Sequence, residues 1–158
     1  MEIAPLPPDE PAGLDALRRY DILDTASEDA FDDLTCLAAK ICGSPIALVS
    51  LIDPHRQWFK AKVGVTVCET SRDIAFCAHT ILQRSILEVP DALADPRFAT
   101  NPLVTQAPFI RFYAGIPLVP PAGPALGPLC LSDPVPRPPP SEPPHTLPLP
   151  GRPVPTLP

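Results

Sequence analysis

The sequence is poor in several features whose scarcity excludes whole classes of function. Its 12 Lys and Arg residues form no run and are outnumbered by 18 Asp and Glu residues, giving a formal net charge of −6. Nucleic-acid grooves and anionic lipid surfaces require clustered positive charge. No apolar run approaches the ~20 residues of a membrane-spanning helix. The N-terminus lacks the basic start and apolar core of a signal peptide. We therefore expect a cytoplasmic protein with neither a nucleic-acid nor a membrane partner.

The motifs of common cofactor and catalytic sites are also missing. The sequence contains no P-loop, no GxGxxG and no Ser-His-Asp arrangement. The number of cysteines is odd and no two of them form a CxxC pair, so reduced thiols are expected, mostly as small core residues. Cys68, in a loop, is the thiol that we expect to be exposed. No cofactor, metal site or catalytic residue is predicted. The five cysteines are Cys36, Cys42, Cys68, Cys77 and Cys130.

Proline, in contrast, is abundant and unevenly placed. The chain has 27 prolines, and 12 of them lie between Pro134 and Pro158. Proline removes a backbone donor and breaks both helices and central strands. We therefore predict one folded domain over residues 5–133, followed by a disordered, proline-rich and non-globular tail over residues 134–158.

The folded part shows an α+β pattern. Helices are predicted from about Glu10 to Tyr20, and from a cap at Ser27 to Gly43. Strands are predicted at 46–52, 57–63, 87–89, 112–119 and 126–131, with a short helix at 74–83 between the second and third strands. The alternation in the second strand places Phe59, Ala61 and Val63 on one side. Hairpin connections and scarce crossovers favour an antiparallel sheet with helices packed on it.

Seven sequence blocks carry a family resemblance. Residues 20–25 (YDILDT), 45–53 (PIALVSLID), 56–64 (RQWFKAKVG), 69–82 (ETSRDIAFCAHTIL), 89–104 (VPDALADPRFATNPLV), 110–118 (IRFYAGIPL) and 126–133 (LGPLCLSD) resemble the GAF domains of bacterial signalling proteins. The resemblance implies a profilin-like, PAS-related antiparallel sheet of five or six strands. It also implies helices on one face and a ligand pocket on the other, roofed by about residues 66–108.

The resemblance also implies a function. Such domains commonly precede a histidine kinase or a diguanylate cyclase, often in two-component systems. We expect a sensory domain that is not itself an enzyme, binds a small molecule or a partner, and signals to an output module outside this chain. Many such domains dimerise, so we expect a homodimer or contact with a neighbouring signalling domain. The alternatives are a small enzyme, such as a free methionine sulfoxide reductase, and a truncated, non-functional fragment.

Candidate ligand-contacting residues come from the predicted roof and the strands beneath it. Cys77 and His79 are two residues apart on the predicted helix and point about 200° apart, so a nucleophile–base pair is not expected. The arginines could grip a carboxylate or a phosphate, but pinning of the loop by neighbouring acids is the preferred interpretation. The surroundings of Cys77 do not resemble a bilin-attachment motif, and the cyclic-nucleotide signature is absent. The candidates are Trp58, Phe76, Cys77, His79, Arg97, Arg111 and Tyr113.

Overall fold

The computed structural model describes residues 1–121 and 123–138. Six strands form one antiparallel sheet in the order β3-β2-β1-β6-β5-β4, which confirms the predicted fold class. Most of the predicted tail, residues 139–158, lies outside the described residues. The helices are α1 (Glu10–Tyr20), α2 (Asp29–Cys42), α3 (Phe76–Thr80) and α4 (Pro102–Thr105), and the strands are β1 (Ile46–Ile52), β2 (Arg56–Val63), β3 (Glu69–Ser71), β4 (Leu87–Val89), β5 (Phe112–Leu118) and β6 (Gly127–Asp133).

Helices α1 and α2 follow their sequence signals closely. A proline lies in the first turn of α1, where its missing N–H costs nothing. Helix α2 ends at Gly43, whose left-handed backbone (φ 59°) allows its N–H to reach the carbonyls of Ala39 and Lys40. The predicted cap at Ser27 is wrong. The helix begins at Asp29, and Glu28 holds the cap position in an extended conformation without a side-chain cap hydrogen bond.

Strand β1 is the centre of the sheet, and its side chains divide the molecule into two layers. All seven of its residues are buried. Ala47, Val49 and Leu51 point towards α1 and α2, on what we call the helix face. Ile46, Leu48 and Ile52 point to the other side, the cavity face, which is covered by residues 64–110, here called the roof. Because successive side chains of a strand point to opposite faces, β1 contributes to the apolar core on both sides of the sheet.

A β-bulge in β2 corrects the predicted alternation. Val49 pairs with Ala61 but Ser50 pairs with Phe59, so Lys60 is an extra residue in the ladder. As a result Phe59 lies on the cavity face while Ala61 lies on the helix face. The side chain of Lys60 is fully buried, and its ammonium donates to Thr25 (2.8 Å) and to the carbonyl of Ala26 (2.6 Å). It also pairs with Glu28 at 2.6 Å, which anchors the connector that precedes α2.

The roof differs most from the expectations. The helix predicted over residues 74–83 is limited to Phe76–Thr80, and both β3 and α4 were missed. These elements are only three to five residues long, too short to show a period in the sequence. Asn101 caps α4 by accepting from the N–H of Leu103, and its amide donates to the carbonyl of Ile74. Over the described residues, no helix is long and apolar enough to cross a membrane.

The chain leaving β6 stays in contact with the domain through Arg137. Its guanidinium donates to the carbonyls of Cys42 (2.8 Å) and Gly43 (3.1 Å), at the end of α2. It also lies 4.7 Å from the centre of the Phe112 ring, while the backbone N–H of Arg137 donates to the carbonyl of Pro90. This clamp lies four residues beyond the domain boundary predicted from the prolines.

Candidate functional site

A cavity lies between the cavity face of the sheet and the roof, where the sequence predicted a pocket. Its volume is about 80 Å³, room for on the order of five to eight water-sized groups. Strands β1, β2, β5 and β6 form the floor, and α3, α4 and two loops form the cover. Val67, which is 53% exposed, marks its rim. The lining residues are Ile46, Leu48, Gln57, Phe59, Val65, Val67, Thr70, Phe76, Cys77, Leu103, Pro108, Ile110, Tyr113, Cys130 and Ser132.

The lining is mainly apolar and, among the described residues, carries no Asp, Glu, Lys, Arg or His side chain. Its polar atoms come from a few short side chains. The amide of Gln57 donates to the hydroxyl of Thr70 at 2.7 Å, and its oxygen accepts from Ser50 at 2.9 Å. An ionised group would enter this space without a countercharge, and burying an unpaired charge is costly. The cavity is therefore suited to a small uncharged molecule.

The inner wall of the cavity holds a pair of thiols. Cys77, on α3, and Cys130, on β6, have their Sγ atoms 3.7 Å apart. The hydroxyl of Tyr113 lies 3.5 Å from the Cys77 sulfur and 2.7 Å from the hydroxyl of Thr80. Tyr113, Cys77 and Cys130 are each at most 2% exposed, so these groups reach solvent only by way of the cavity.

The wall is electrostatically asymmetric. Burial opposes the charged form of Cys77, but hydrogen bonds with Cys130 and Tyr113 outweigh it and hold the pKa of Cys77 below that of an ordinary thiol. The hydrogen bond with Cys77, together with burial, raises the pKa of Cys130 well above the usual value. Burial likewise raises the pKa of Tyr113. Because the two thiols are coupled, the pair loses its first proton more readily than its second.

Three of the seven residues predicted to contact a ligand line the cavity: Phe76, Cys77 and Tyr113. Phe76 stacks on Phe98 with ring centres 4.1 Å apart, which fixes α3 against the rest of the roof. Their contact with a ligand stays a prediction.

Two other candidates lie outside the cavity lining. Trp58 packs on the helix face, against Leu17 of α1 and Leu51, because it precedes Phe59 in β2 and so points to the opposite side. The ring of His79 lies 3.2 Å from the carbonyl oxygen of Glu2 and edge-on to Phe98. Burial lowers the pKa of His79, helped by the positive charge of Arg97.

The arginines of the roof meet protein groups. Arg97 forms a two-pronged pair with Asp95, at 3.0 and 2.7 Å, which is the pinning preferred from the sequence. Arg111 donates to the carbonyls of Val104 and Ile110. Neither side chain lines the cavity.

Sequence reasoning missed Gln57, Thr70, Cys130 and Ser132 as cavity residues. For Cys130 and Ser132, the alternation of residues in β6 could have predicted a position on the cavity face. Residues two apart in a strand share a face, and Leu129 and Leu131 supply the opposite, helix face. Thr70 belongs to the short strand β3, which no pattern revealed. Within residues 1–121 and 123–138, no group of three or more His, Cys, Asp or Glu side chains could hold a metal ion.

Comparison with known proteins gives a consistent picture. A family model described as "GAF domain" matches residues 27–147. A cyclic di-GMP phosphodiesterase of Pseudomonas aeruginosa is 40% identical over 137 residues, which are 87% of this chain and 23% of that protein. The chain thus spans about a quarter of the length of this relative.

Solved structures agree in fold. The GAF domain of an Acinetobacter phosphoenolpyruvate-protein phosphotransferase is 20% identical with a TM-score of 0.54, over 79% of this chain and 78% of that one. A putative GAF sensor protein of Burkholderia vietnamiensis is 14% identical with a TM-score of 0.55, over 77% and 76%. A free methionine-R-sulfoxide reductase of Neisseria meningitidis is 13% identical with a TM-score of 0.54, over 72% and 68%.

These comparisons contradict the expectation that the chain is not an enzyme. The relative at 40% identity is named as a phosphodiesterase, and two proteins of the same fold are named as methionine sulfoxide reductases. The expectation rested on missing motifs, and the fold itself occurs in enzymes. The absence of familiar catalytic motifs is therefore no ground for excluding catalysis here.

Proposed function

Because this chain belongs to the GAF domain family, we propose that it is a regulatory domain that binds a small uncharged molecule in its cavity and signals to an output module. The observation that carries the proposal is the roofed cavity of about 80 Å³ with a mainly apolar lining. Small-ligand sites are typically apolar hollows with a few polar groups, and this cavity has that lining at a smaller size.

The volume of the cavity and its lack of charged lining residues restrict the kind of ligand that can bind. A volume of about 80 Å³ suits a molecule of at most about five non-hydrogen atoms, since a cavity that binds benzene measures about 150 Å³. Phosphates are generally recognised by arginine forks or other cations, and the described lining has none. A cyclic nucleotide or dinucleotide therefore does not match the cavity. A ligand with an apolar body and one hydrogen-bonding group, placed to meet Gln57, Thr70 or Ser132, does match it.

We further propose that the output is of the cyclic di-GMP phosphodiesterase type. The support is the relative of that name, to which 87% of this chain aligns at 40% identity. This replaces the histidine kinase or diguanylate cyclase favoured by the sequence alone. In this proposal cyclic di-GMP is the substrate of the output module, and the cavity takes a different and smaller molecule.

Native mass spectrometry of the purified chain, with a search for co-purified small molecules, tests the binding step. Pyrazole serves as a neutral probe of suitable size, and its binding should raise the melting temperature as its concentration rises. Leu103→Trp, which fills the cavity, should abolish the increase. Leu93→Trp is the matched control, because Leu93 is 50% exposed and does not line the cavity. No co-purified molecule, together with equal responses of both variants to pyrazole, would count against the cavity as a ligand site.

The output step is tested with a chimera. Residues 1–138 of this chain, which include the Arg137 contacts, would replace the matching domain of the Pseudomonas aeruginosa phosphodiesterase, and hydrolysis of cyclic di-GMP would be measured with and without the identified ligand. We expect the rate to change with the ligand in the chimera and to lose this response in the Leu103→Trp version. An unchanged rate would contradict the proposed coupling.

A further inference from the structure

The thiols of Cys77 and Cys130 lie side by side although they belong to distant parts of the chain. Their Sγ atoms are 3.7 Å apart, across the boundary between α3 and β6. Both residues line the cavity, while each is at most 2% exposed. A small molecule in the cavity would thus touch both sulfurs at once. By contrast, Cys36 and Cys68 are exposed on the surface, and neither lies in this cluster.

We propose that Cys77 and Cys130 form a peroxide-reactive dithiol, which a small hydroperoxide oxidises to a disulfide by entering through the cavity. The proposal shares this cavity with the proposed function. It requires neither a resident ligand nor a particular output module.

The distance is compatible with bond formation after a small movement. A disulfide has an S–S length of about 2.05 Å, so the sulfurs must approach by roughly 1.7 Å from their 3.7 Å separation. Strand β6 is hydrogen-bonded to β1 and β5 on its two sides. We expect the shift to fall mainly on α3, which has only five residues and forms part of the roof.

The chemistry balances with a hydroperoxide as the sole oxidant. The Cys77 thiolate attacks the terminal oxygen, the O–O bond breaks, and the leaving oxygen takes up the thiol proton as water or an alcohol. The resulting sulfenic acid on Cys77 is then attacked by Cys130, which forms the S–S bond and releases water. Two thiols lose two electrons and the peroxide gains them.

The surroundings favour Cys77 as the attacking group. The hydroxyl of Tyr113, 3.5 Å from its sulfur, can donate to a thiolate. Hydrogen bonds with Cys130 and Tyr113 hold the pKa of Cys77 below the ordinary value despite burial, and the thiolate is the nucleophile in such reactions. Cys130 is placed to follow as the resolving thiol, because its sulfur lies 3.7 Å from that of Cys77.

The size of the cavity determines which oxidants can reach the thiol pair. The space of about 80 Å³ admits hydrogen peroxide and methyl hydroperoxide, which have at most about three non-hydrogen atoms each. Oxidised glutathione is far too large to enter. The buried pair should therefore react with the two peroxides and resist the bulky disulfide, whereas the exposed Cys68 should react with both classes.

The experiment uses the full chain carrying Cys36→Ser, Cys42→Ser and Cys68→Ser, so that only the proposed pair remains. Treatment with hydrogen peroxide should remove both free thiols and lower the intact mass by two hydrogen atoms. Peptide mapping without reductant should find Cys77 joined to Cys130. In the same background, Cys130→Ala should stop at a sulfenic acid on Cys77, which dimedone traps. Leu103→Trp should slow the oxidation severalfold, whereas Leu93→Trp should leave its rate unchanged.

Several outcomes would overturn the proposal. One is a pair that keeps both free thiols after peroxide treatment while a thermal melt shows the protein folded. Others are a sulfenic acid that never proceeds to a bridge, and oxidation by glutathione disulfide as fast as by peroxide. A failed search for a co-purified ligand, combined with a clean Cys77–Cys130 bridge, would remove the proposed ligand function and leave this inference intact.

Discussion

The two faces of the sheet differ in the elements that cover them and in how these elements pack. On the helix face, small and branched residues pack closely; Ala38 and Ala39 of α2, for example, lie against Ala47, Val49 and Leu131. On the cavity face, larger side chains such as Phe59, Phe76 and Tyr113 meet short roof elements and leave a hollow. Helices α1 and α2 cover the helix face, whereas short elements and loops cover the cavity face. The contrast teaches that buried apolar residues lie on both sides of β1, while the candidate site lies opposite the two longest helices.

The largest expected effect is a difference between leucines on the two faces. Leu131→Ala, on the helix face, should lower the free energy of unfolding by about 2–5 kcal/mol, because it opens a cavity in a filled layer. Leu48→Ala, on the cavity face, should lie at or below about 2 kcal/mol, because Leu48 already borders a hollow. Denaturant unfolding measures both. Equal losses would mean that the two faces are packed alike.

A smaller effect is expected from a buried ion pair that joins α1 to the roof next to β3. Arg72, at the start of the roof, donates to Glu10 of α1 at 3.0 Å and to the carbonyl of Asp53 at 3.2 Å. Its side chain is only 7% exposed. Glu10→Ala leaves the guanidinium without its acid, and should cost about 1–3 kcal/mol. Asp15→Ala is the matched control, since the Asp15–Arg19 pair is exposed at both partners and should contribute little. Similar melting temperatures for the two variants would show that the layers are held together without this pair.

The smallest effect concerns the dependence of stability on pH. Burial lowers the pKa of His79 from 6.5, so below about pH 6.5 the unfolded chain binds more protons than the folded one. Stability should therefore fall as the pH drops through 6.5, with a slope of at most about 1.4 kcal/mol per pH unit. His79→Phe should flatten this slope between pH 7 and 5.5. Asp24 and Asp95 have pKa values lowered from 3.8, so their contribution is lost only at more acidic pH. An unchanged slope in the variant would place the protonation elsewhere.

The difference between the faces also decides how much could be predicted. The helix face and the central strands repeat over seven to 14 residues, long enough for a period to appear, and their bounds were found almost to the residue. The predicted alternation in β2 was wrong because Lys60 forms a bulge. A bulge moves every following side chain to the other face, and the amino-acid composition does not reveal it. The roof consists of short pieces held by contacts between residues distant in the sequence, such as Asn101 to Ile74, which no local pattern encodes. The existence of the cavity could be predicted from family resemblance, but the thiol pair in its wall could not.

The contacts of Arg137 connect the end of β6 to the rest of the domain. Its guanidinium spans the last carbonyls of α2 and the ring of Phe112, while Cys130 and Ser132, only a few residues upstream, line the cavity. The cavity wall and the clamp are thus joined by one short stretch of chain. We expect any shift of β6 to change the contacts that Arg137 makes with the end of α2.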